Sequence, residues 1–299
     1  MIRELINQAN TVILGKEHQI KLSICCLLAQ GHLLIEDLPG MGKTTLSHLI
    51  AQLFGLNYTR IQFTSDMLPA DIIGVSIFNK ETHDFKFIKG PIFTQVVLAD
   101  EINRSSARTQ SALLEAMEEN QVSIDKHTYP LDKPFFVIAT QNPNFQMGTF
   151  PLPESQLDRF LMRITLGYPE PAVERLILQG RQDKLINSLS PFFNNNELLN
   201  LQNKVSKVFV SDAILDIIQE ILRISREQSQ FITGLSPRAG LALIQASKAW
   251  ALLHEREMVI PDDIDNILTA VIGHRLQNSS LQSLSDEEIR NVFQQVQMV

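Results

Sequence analysis

The fold of this chain is decided by one stretch, Leu33-Leu34-Ile35-Glu36-Asp37-Leu38-Pro39-Gly40-Met41-Gly42-Lys43-Thr44-Thr45. An apolar run, a glycine turn and a helix start follow one another in it, which predicts a buried strand that leads through a loop into a helix. Gly40 and Gly42 let backbone N–H groups approach an anion closely, and the positive end of the helix points at the same place. The stretch therefore predicts a phosphate-binding loop.

Two side chains of this loop suit nucleotide chemistry. Lys43 is expected to reach the β- and γ-phosphates, and the Thr44 hydroxyl is expected to bind Mg²⁺. The resulting cofactor prediction is ATP with Mg²⁺. The residues predicted to hold the nucleotide are Leu38, Pro39, Gly40, Met41, Gly42, Lys43, Thr44 and Thr45.

One position departs from the strict phosphate-loop pattern, because Asp37 stands where the first glycine is expected. Aspartate tolerates tight turns, and the Gly-x-Gly-Lys-Thr end that touches phosphate is intact. The alternative is an ordinary turn between a strand and a helix. That alternative leaves Lys43 unexplained, since the first turn of a helix disfavours a cation.

Composition bounds the class of protein. The chain has 299 residues, 44% of them hydrophobic, which predicts two domains with substantial cores. A net charge of −7 argues against tight nonspecific binding to nucleic acid. The N-terminus lacks a secretory pattern and no apolar run reaches membrane length, so we expect a cytoplasmic protein without a membrane span. The two cysteines, Cys25 and Cys26, are predicted to be buried helix residues.

A second group of functional residues follows two apolar strands. The run Val96–Ala99 ends in Asp100 and Glu101, as expected for a buried parallel strand with functional groups at its carboxyl end. Asp100 is predicted to hold Mg²⁺ through water or together with Thr44, and Glu101 to orient or deprotonate the attacking water. Two acids could instead cap the next helix. Asn142, after the strand Phe135–Ala139, is either a ligand of the γ-phosphate or lytic water or a turn residue.

The remaining pattern divides the chain. Apolar residues flank polar ones near 77–87 and 122–131, which predicts two hairpins. A helix is expected to end at a C-cap glycine, Gly31. Beyond a boundary near Tyr168 the periodicity is helical, and Arg238 lies in a first helical turn, where a phosphate ligand would explain a cation. The Ser211-Asp212 pair is predicted to cap a helix whose apolar residues face the core. These residues are Ile214, Leu215, Ile217, Ile218, Ile221 and Leu222.

The order of these features resembles the AAA+ ATPases. In that resemblance Asn142 corresponds to sensor 1, Arg159 to the arginine finger and Arg238 to sensor 2. Four segments are more specific and resemble the MoxR family within it. These segments are Arg60-Ile61-Gln62-Phe63-Thr64, Leu98 to Arg104, Ala139-Thr140-Gln141-Asn142-Pro143, and Leu152-Pro153-Glu154 with Asp158-Arg159-Phe160.

The resemblance implies an α/β fold, with a three-layer αβα core and a parallel sheet in residues 1–168 and an all-α lid in 169–299. It also implies a hexameric ring that acts as a chaperone-like remodeller. Members are thought to mature protein clients or insert cofactors into them, often beside a von Willebrand A domain partner. One departure is Lys16, where the family commonly has glutamine, so a contact of that side chain with the base is not implied.

Two other classes of function compete with this interpretation. A nucleic-acid motor of the same clade would grip its substrate through a hairpin, but only Lys80, Lys86 and Lys89 lie in or beside the first hairpin. A small-molecule phosphotransferase would need an acceptor site, and the sequence shows none. Nucleic acid is therefore not expected as a partner, and a protein client is what the family resemblance implies.

Overall fold

The computed structural model describes residues 2–81, 83–125, 127–142, 150–179, 189–228, 231–278, 284–293 and 296. Its centre is a sheet of five strands in the order β2-β5-β8-β1-β9, and every neighbouring pair is parallel. The carboxyl ends of all five strands therefore lie at one edge. The strands are β1 Leu33–Glu36, β2 Tyr58–Gln62, β5 Val96–Asp100, β8 Phe136–Gln141 and β9 Met162–Ile164.

Successive residues of a strand point to opposite sides of the sheet, so these apolar strands need cover on both faces. Helices provide that cover. Leu33 and Ile35 belong to one hydrophobic core and Leu34 to the other. The predicted three-layer αβα core with a parallel sheet is confirmed. The first face is covered by α1 (Ile2–Val12), α2 (Glu17–Leu28) and α3 (Lys43–Leu53), and the second by α4 (Pro69–Ile73) and α5 (Ala107–Glu119).

Two hairpins leave the core where the sequence predicts them. In the first, β3 (Gly74–Asn79) pairs with β4 (Asp84–Lys89), and in the second β6 (Gln121–Ile124) pairs with β7 (His127–Pro130). The hairpins touch, because the Phe87 ring stacks on the Tyr129 ring with centroids 4.2 Å apart. Within the second hairpin, Lys126 lies outside the described residues.

A helical lid follows the core and packs on its N-terminal helices. Buried residues of α2 and of the lid belong to one continuous hydrophobic core, in which the Cys25 Sγ donates to the Ala246 carbonyl at 3.3 Å. None of the helices in the described part of the chain is both long and apolar enough to cross a membrane. The helices after β8 are α6 Glu154–Leu157, α7 Pro171–Leu178, α8 Asn195–Lys207, α9 Asp212–Glu227, α10 Pro237–Leu253, α11 Pro261–Ile272 and α12 Asp286–Phe293.

Two local predictions were wrong. The helix α2 ends in a turn whose left-handed residue is Gln30 (φ 55°), not Gly31. Glycine is needed at 31 for another reason, since a Cβ there would lie 2.3 Å from the Cβ of Leu161. On α9, Leu215 is 37% exposed. The buried stripe of this helix runs through Ile214, Ile218 and Ile221, and Leu215 lies beside that stripe.

Candidate active site

The glycine loop between β1 and α3 is shaped to receive an anion. Gly40 and Gly42 have φ of 85° and 90°, a conformation that favours glycine. Within the described residues, no atom beyond the adjacent ones lies within 4 Å of the place where a Cβ would stand. The N-terminus of α3 has no side-chain cap, so its first N–H groups face the loop without an acceptor from a capping residue. Together with the helix dipole, this end attracts phosphate.

A cavity of about 380 Å³ lies against the loop. Two residues predicted to bind the nucleotide, Leu38 and Met41, do not line it. Met41 packs its side chain against the hydrophobic core, and the Leu38 side chain is 39% exposed outside this cavity. The lining residues are Pro39, Gly40, Gly42, Lys43, Thr44, Thr45, Arg60, Gln62, Asp100, Glu101 and Asn142.

Lys43 is a buried cation with polar but uncharged hydrogen-bond partners. Its ammonium donates to the Asp37 carbonyl at 2.5 Å and to the Asn142 Oδ1 at 3.2 Å. Burial lowers the pKa of Lys43 from its usual value, while the negative charges of Asp37, Asp100 and Glu101 act in the opposite direction. A phosphate group in the cavity would supply the direct counter-charge that a buried ammonium requires.

Glu101 is held in place by donors from three directions. Its Oε1 accepts from the Asn142 Nδ2 at 3.0 Å, and its Oε2 accepts from the Gln62 Nε2 at 2.9 Å and pairs with the Arg104 Nε at 3.1 Å. The backbone of Glu101 is left-handed (φ 57°), a strained conformation that recurs at functional sites. Asn142 thus joins Lys43 to Glu101, and the structure brings these predicted residues into one network.

The oxygen groups of this site fit a magnesium ion. Thr44 is exposed on the cavity wall, and Asp100 lines the same cavity. Hydroxyl, carboxylate and water oxygens are the donors that Mg²⁺ prefers, and it usually keeps several waters. Both carboxylate oxygens of Asp100 already accept, from the Thr140 hydroxyl at 2.6 Å and from the Arg60 Nη2 at 2.5 Å. Asp100 would therefore hold the ion through water, and a bound Mg²⁺ would offset phosphate charge.

Sequence reasoning assigned no role to two residues of the cavity, Arg60 and Gln62. Both extend from the edge strand β2, where side chains two residues apart share a face. Arg60 pairs with Asp100, and Gln62 donates to Glu101. The alternation Arg60-Ile61-Gln62 beside the acidic strand was the available signal, because it places two polar groups on the face that meets the acids.

Asp37, the departure from the strict loop pattern, joins the loop to a distant part of the chain. Its Oδ2 accepts from the backbone N–H groups of Leu166 and Gly167 at 2.6 and 2.7 Å, and its Oδ1 accepts from the N–H of Leu38 at 2.9 Å. The carboxylate is buried. Glycine could not make these bonds, so aspartate fixes the loop to the segment that leads into the lid.

This arrangement predicts that Asp37→Gly, which restores the strict pattern, destabilises the protein. One buried and two part-buried N–H groups lose their acceptor, so the free energy of unfolding is expected to fall by about 2 kcal/mol. Denaturant unfolding measures it, and amide exchange of Leu166 and Gly167 should rise. Asp37→Asn, of equal size, should lose less because it keeps one oxygen acceptor. An Asp37→Gly protein as stable as the parent would show that the loop geometry matters more than the three bonds.

The structure does not bring Arg159 and Arg238 to this cavity. Both line a different cavity of about 340 Å³ between the core and the lid. There the Glu118 carboxylate lies 3.0 Å from the Arg159 Nη1 and 3.2 Å from the Arg238 Nη1. The cation at the positive end of α10 is thus matched by a carboxylate of α5. A phosphate in the glycine loop of the same chain is not needed to explain Arg238.

Comparison with known proteins agrees with this geometry. A family model described as "ATPase family associated with various cellular activities (AAA)" matches residues 32–162, and an AAA lid domain model matches residues 223–295. Chaperone MoxR1 of Mycobacterium tuberculosis is 38% identical over 284 residues, which are 92% of this chain and 75% of that protein. The chain belongs to the MoxR family of AAA+ ATPases.

Two further relatives extend over most of the chain. The uncharacterized protein YeaC of Bacillus subtilis is 46% identical over 278 residues, which are 92% of this chain and 87% of that protein. A solved structure from Cytophaga hutchinsonii, described as a "putative ATPase", matches with a TM-score of 0.89 and 36% identity, over 99% of this chain and 94% of that one. The MoxR fold, with core and lid, is thus shared along nearly the whole chain, and the protein is an ATPase.

The departure at Lys16 from the usual MoxR sequence has a structural counterpart. Its ammonium donates to the Tyr168 carbonyl at 2.9 Å, in the segment between β9 and α7. The cation therefore joins the segment before α2 to the start of the lid.

Proposed function

We propose that this MoxR ATPase binds ATP with Mg²⁺, assembles into a homo-oligomeric, hexameric ring, and uses hydrolysis to remodel or mature a protein client. One observation supports the ring above all others. Lys43, Asp100, Glu101 and Asn142 meet at one cavity, whereas Arg159 and Arg238 lie at another. A complete site for phosphoryl transfer would then combine the cavity of one subunit with the arginines of its neighbour.

Within this proposal, each residue of the site has a role that follows from its charge and its position. Lys43 binds the β- and γ-phosphates, Thr44 and Asp100 hold Mg²⁺, and Glu101 orients and deprotonates the attacking water. Asn142 lies between Lys43 and Glu101, where the γ-phosphate would lie, so it contacts that phosphate or the water. Arg159 and Arg238 neutralise charge that develops on the phosphate bound to the neighbouring subunit.

A protein client is favoured by the first hairpin and by a named relative. Apolar side chains of β3 and β4 are exposed, among them Ile77 at 50% and Phe85 at 67%. Exposed apolar groups of this kind favour protein contact over phosphate contact. MoxR1 of Mycobacterium tuberculosis carries the name of a chaperone. A partner with a von Willebrand A domain and a cytoplasmic location belong to the same proposal, and both rest on the family resemblance.

The proposal is tested by phosphate release from ATP at increasing protein concentration. Turnover per subunit should rise as rings assemble, and removal of Mg²⁺ with a chelator should abolish it, because the phosphate charge is then left unbalanced. Added DNA should have no effect. A turnover that is constant down to dilute monomer would contradict the ring, and stimulation by DNA that disappears at high salt would favour a nucleic-acid motor.

A further inference from the structure

Arg275, just after the lid helix α11, is buried and makes an unusual set of bonds to the core. Its side chain is 6% exposed. The guanidinium Nε donates to the Asp158 Oδ1 at 2.7 Å. Its two terminal nitrogens donate to the carbonyls of Asp158, Phe160 and Leu161 at 3.3, 2.8 and 3.2 Å. Four acceptors in one short turn, residues 158–161, are thus held by a single lid residue.

These acceptors lie on both sides of Arg159 in the chain. The neighbouring lid residue, His274, adds a hydrogen bond between its Nε2 and the Phe160 carbonyl at 2.9 Å. The core holds the same turn through an amide, since the Leu161 N–H donates to the His32 carbonyl. The lid therefore holds the carbonyl groups of this turn, and the core holds the Leu161 N–H. A displacement of the lid would move the backbone that carries Arg159.

The same contacts include Arg238. The Asp158 Oδ2 lies 3.8 Å from the Arg238 Nε, and Glu118 pairs with both Arg159 and Arg238. Three arginines thus share two carboxylates, which leaves the group with one excess positive charge. Arg275 is buried, whereas Arg159 and Arg238 are 28% and 48% exposed. The exposed pair is the part of this group that can meet an anion, and Arg275 is the part that holds the group in place.

We propose that Arg275 is a positioning residue for Arg159. Through Asp158 and the carbonyls of the 158–161 turn, it fixes the direction of the Arg159 guanidinium. Lid movement in one subunit then controls ATP hydrolysis in the subunit next to it. This inference rests on the proposed function, because it requires that Arg159 acts on a neighbour's nucleotide.

A simpler role would be to hold the lid on the core. That role predicts that removal of Arg275 lowers stability and disturbs the subunit's own nucleotide cavity. A positioning role predicts a loss only where the altered subunit donates its arginine. The two roles are therefore separated by asking which of its two ring interfaces an altered subunit damages.

The experiment uses full-length Arg275→Gln and Arg275→Lys proteins in ATP binding, single-turnover hydrolysis and subunit mixing. Arg275→Gln is expected to bind ATP like the parent and to hydrolyse it at least about 10-fold more slowly. Lysine can hold Asp158 but cannot fork to the carbonyls, so Arg275→Lys should be intermediate. Combining Arg275→Gln with Arg159→Ala should slow turnover no further than Arg159→Ala alone, because both changes remove one function.

Mixed rings decide which interface is affected. Arg275→Gln subunits still carry Glu101, so mixing them with Glu101→Gln subunits, which carry an intact Arg159, should restore part of the turnover. The matched control is Arg256→Gln, which breaks an ion pair with the buried Asp263 inside the lid and leaves the 158–161 turn untouched. It should turn over ATP at the parent rate even if it is less stable. Should Arg275→Gln fail to fold, Asp158→Asn is expected to give the same pattern.

The outcomes separate the inference from the proposed function. If Arg159→Ala is slow but Arg275→Gln and Asp158→Asn match the parent, the positioning role is wrong and the role of Arg159 stands. If Arg159→Ala itself matches the parent, the role of Arg159 is wrong and the inference falls with it. If Arg275→Gln loses ATP binding, or if rings proven to be mixed recover no turnover, the role of Arg275 is to hold the lid on the core.

Discussion

Glu101→Gln protein is expected to bind ATP at parental affinity and to hydrolyse it more slowly by a factor on the order of 10² to 10³. The glutamine side chain has the same size and keeps an oxygen that can accept from the Asn142 Nδ2. It cannot take a proton from water. The change is therefore expected to remove the proposed base chemistry and to leave the proposed phosphate contacts of Lys43 in place. Single-turnover phosphate release and equilibrium binding of ATP measure the two quantities separately.

The control for this change is Glu287→Gln. It makes the same chemical substitution at an exposed position on α12, far along the chain from the glycine loop. Its turnover should equal that of the parent. If Glu101→Gln also hydrolyses ATP at the parent rate, Glu101 does not act on water, and its strained backbone would need another explanation.

Arg159→Ala protein is expected to bind ATP normally and to lose hydrolysis by a factor on the order of 10² to 10³. An arginine supplied by a neighbour stabilises charge on the transferring phosphoryl group and contributes at least this much in related enzymes. The side chain is well placed for such a role, because it is partly exposed and its partners in the isolated chain are Glu118 and the Leu114 carbonyl. A phosphate from another subunit could replace Glu118.

Mixing provides the decisive measurement for Arg159. Neither Arg159→Ala nor Glu101→Gln rings should hydrolyse ATP well, but in equal mixtures about a quarter of the interfaces join an intact Glu101 to an intact Arg159. Turnover should recover to a comparable fraction of the parent. Arg223→Ala, which removes an exposed arginine paired within α9, is the matched control and should change nothing. If rings shown to be mixed recover no turnover, Arg159 does not act on the nucleotide of the neighbouring subunit.

The core of the site was predictable because its signals are local. Gly40, Gly42 and Lys43 are adjacent in sequence, and a strand that ends in Asp100-Glu101 must deliver both acids to the edge of the sheet where the glycine loop lies. Asn142 follows from the same rule. Chain order and strand direction were sufficient to predict that these side chains meet.

The remaining features depend on partners that are distant in sequence. Asp37 is explained by N–H groups 129 and 130 residues away, and no local pattern indicates them. The helix-dipole argument indicated a phosphate ligand for Arg238, and no local signal indicated the Glu118 carboxylate, 120 residues away, that pairs with it. Arg60 likewise gains its meaning only from Asp100 on the neighbouring strand.

The continuous core shared by α2 and the lid has a mechanical consequence. Apolar packing has low compressibility, so a displacement of the lid is passed to α2, which packs against both the lid and the sheet. The chain between the end of α2 at Leu28 and the start of β1 at Leu33 is short, and β1 continues directly into the glycine loop. A movement of the lid would therefore act at two places in its own subunit, on the turn that carries Arg159 and on the glycine loop proposed to bind ATP. One lid rotation would then change the subunit's own nucleotide site and the arginine it offers to its neighbour at the same time.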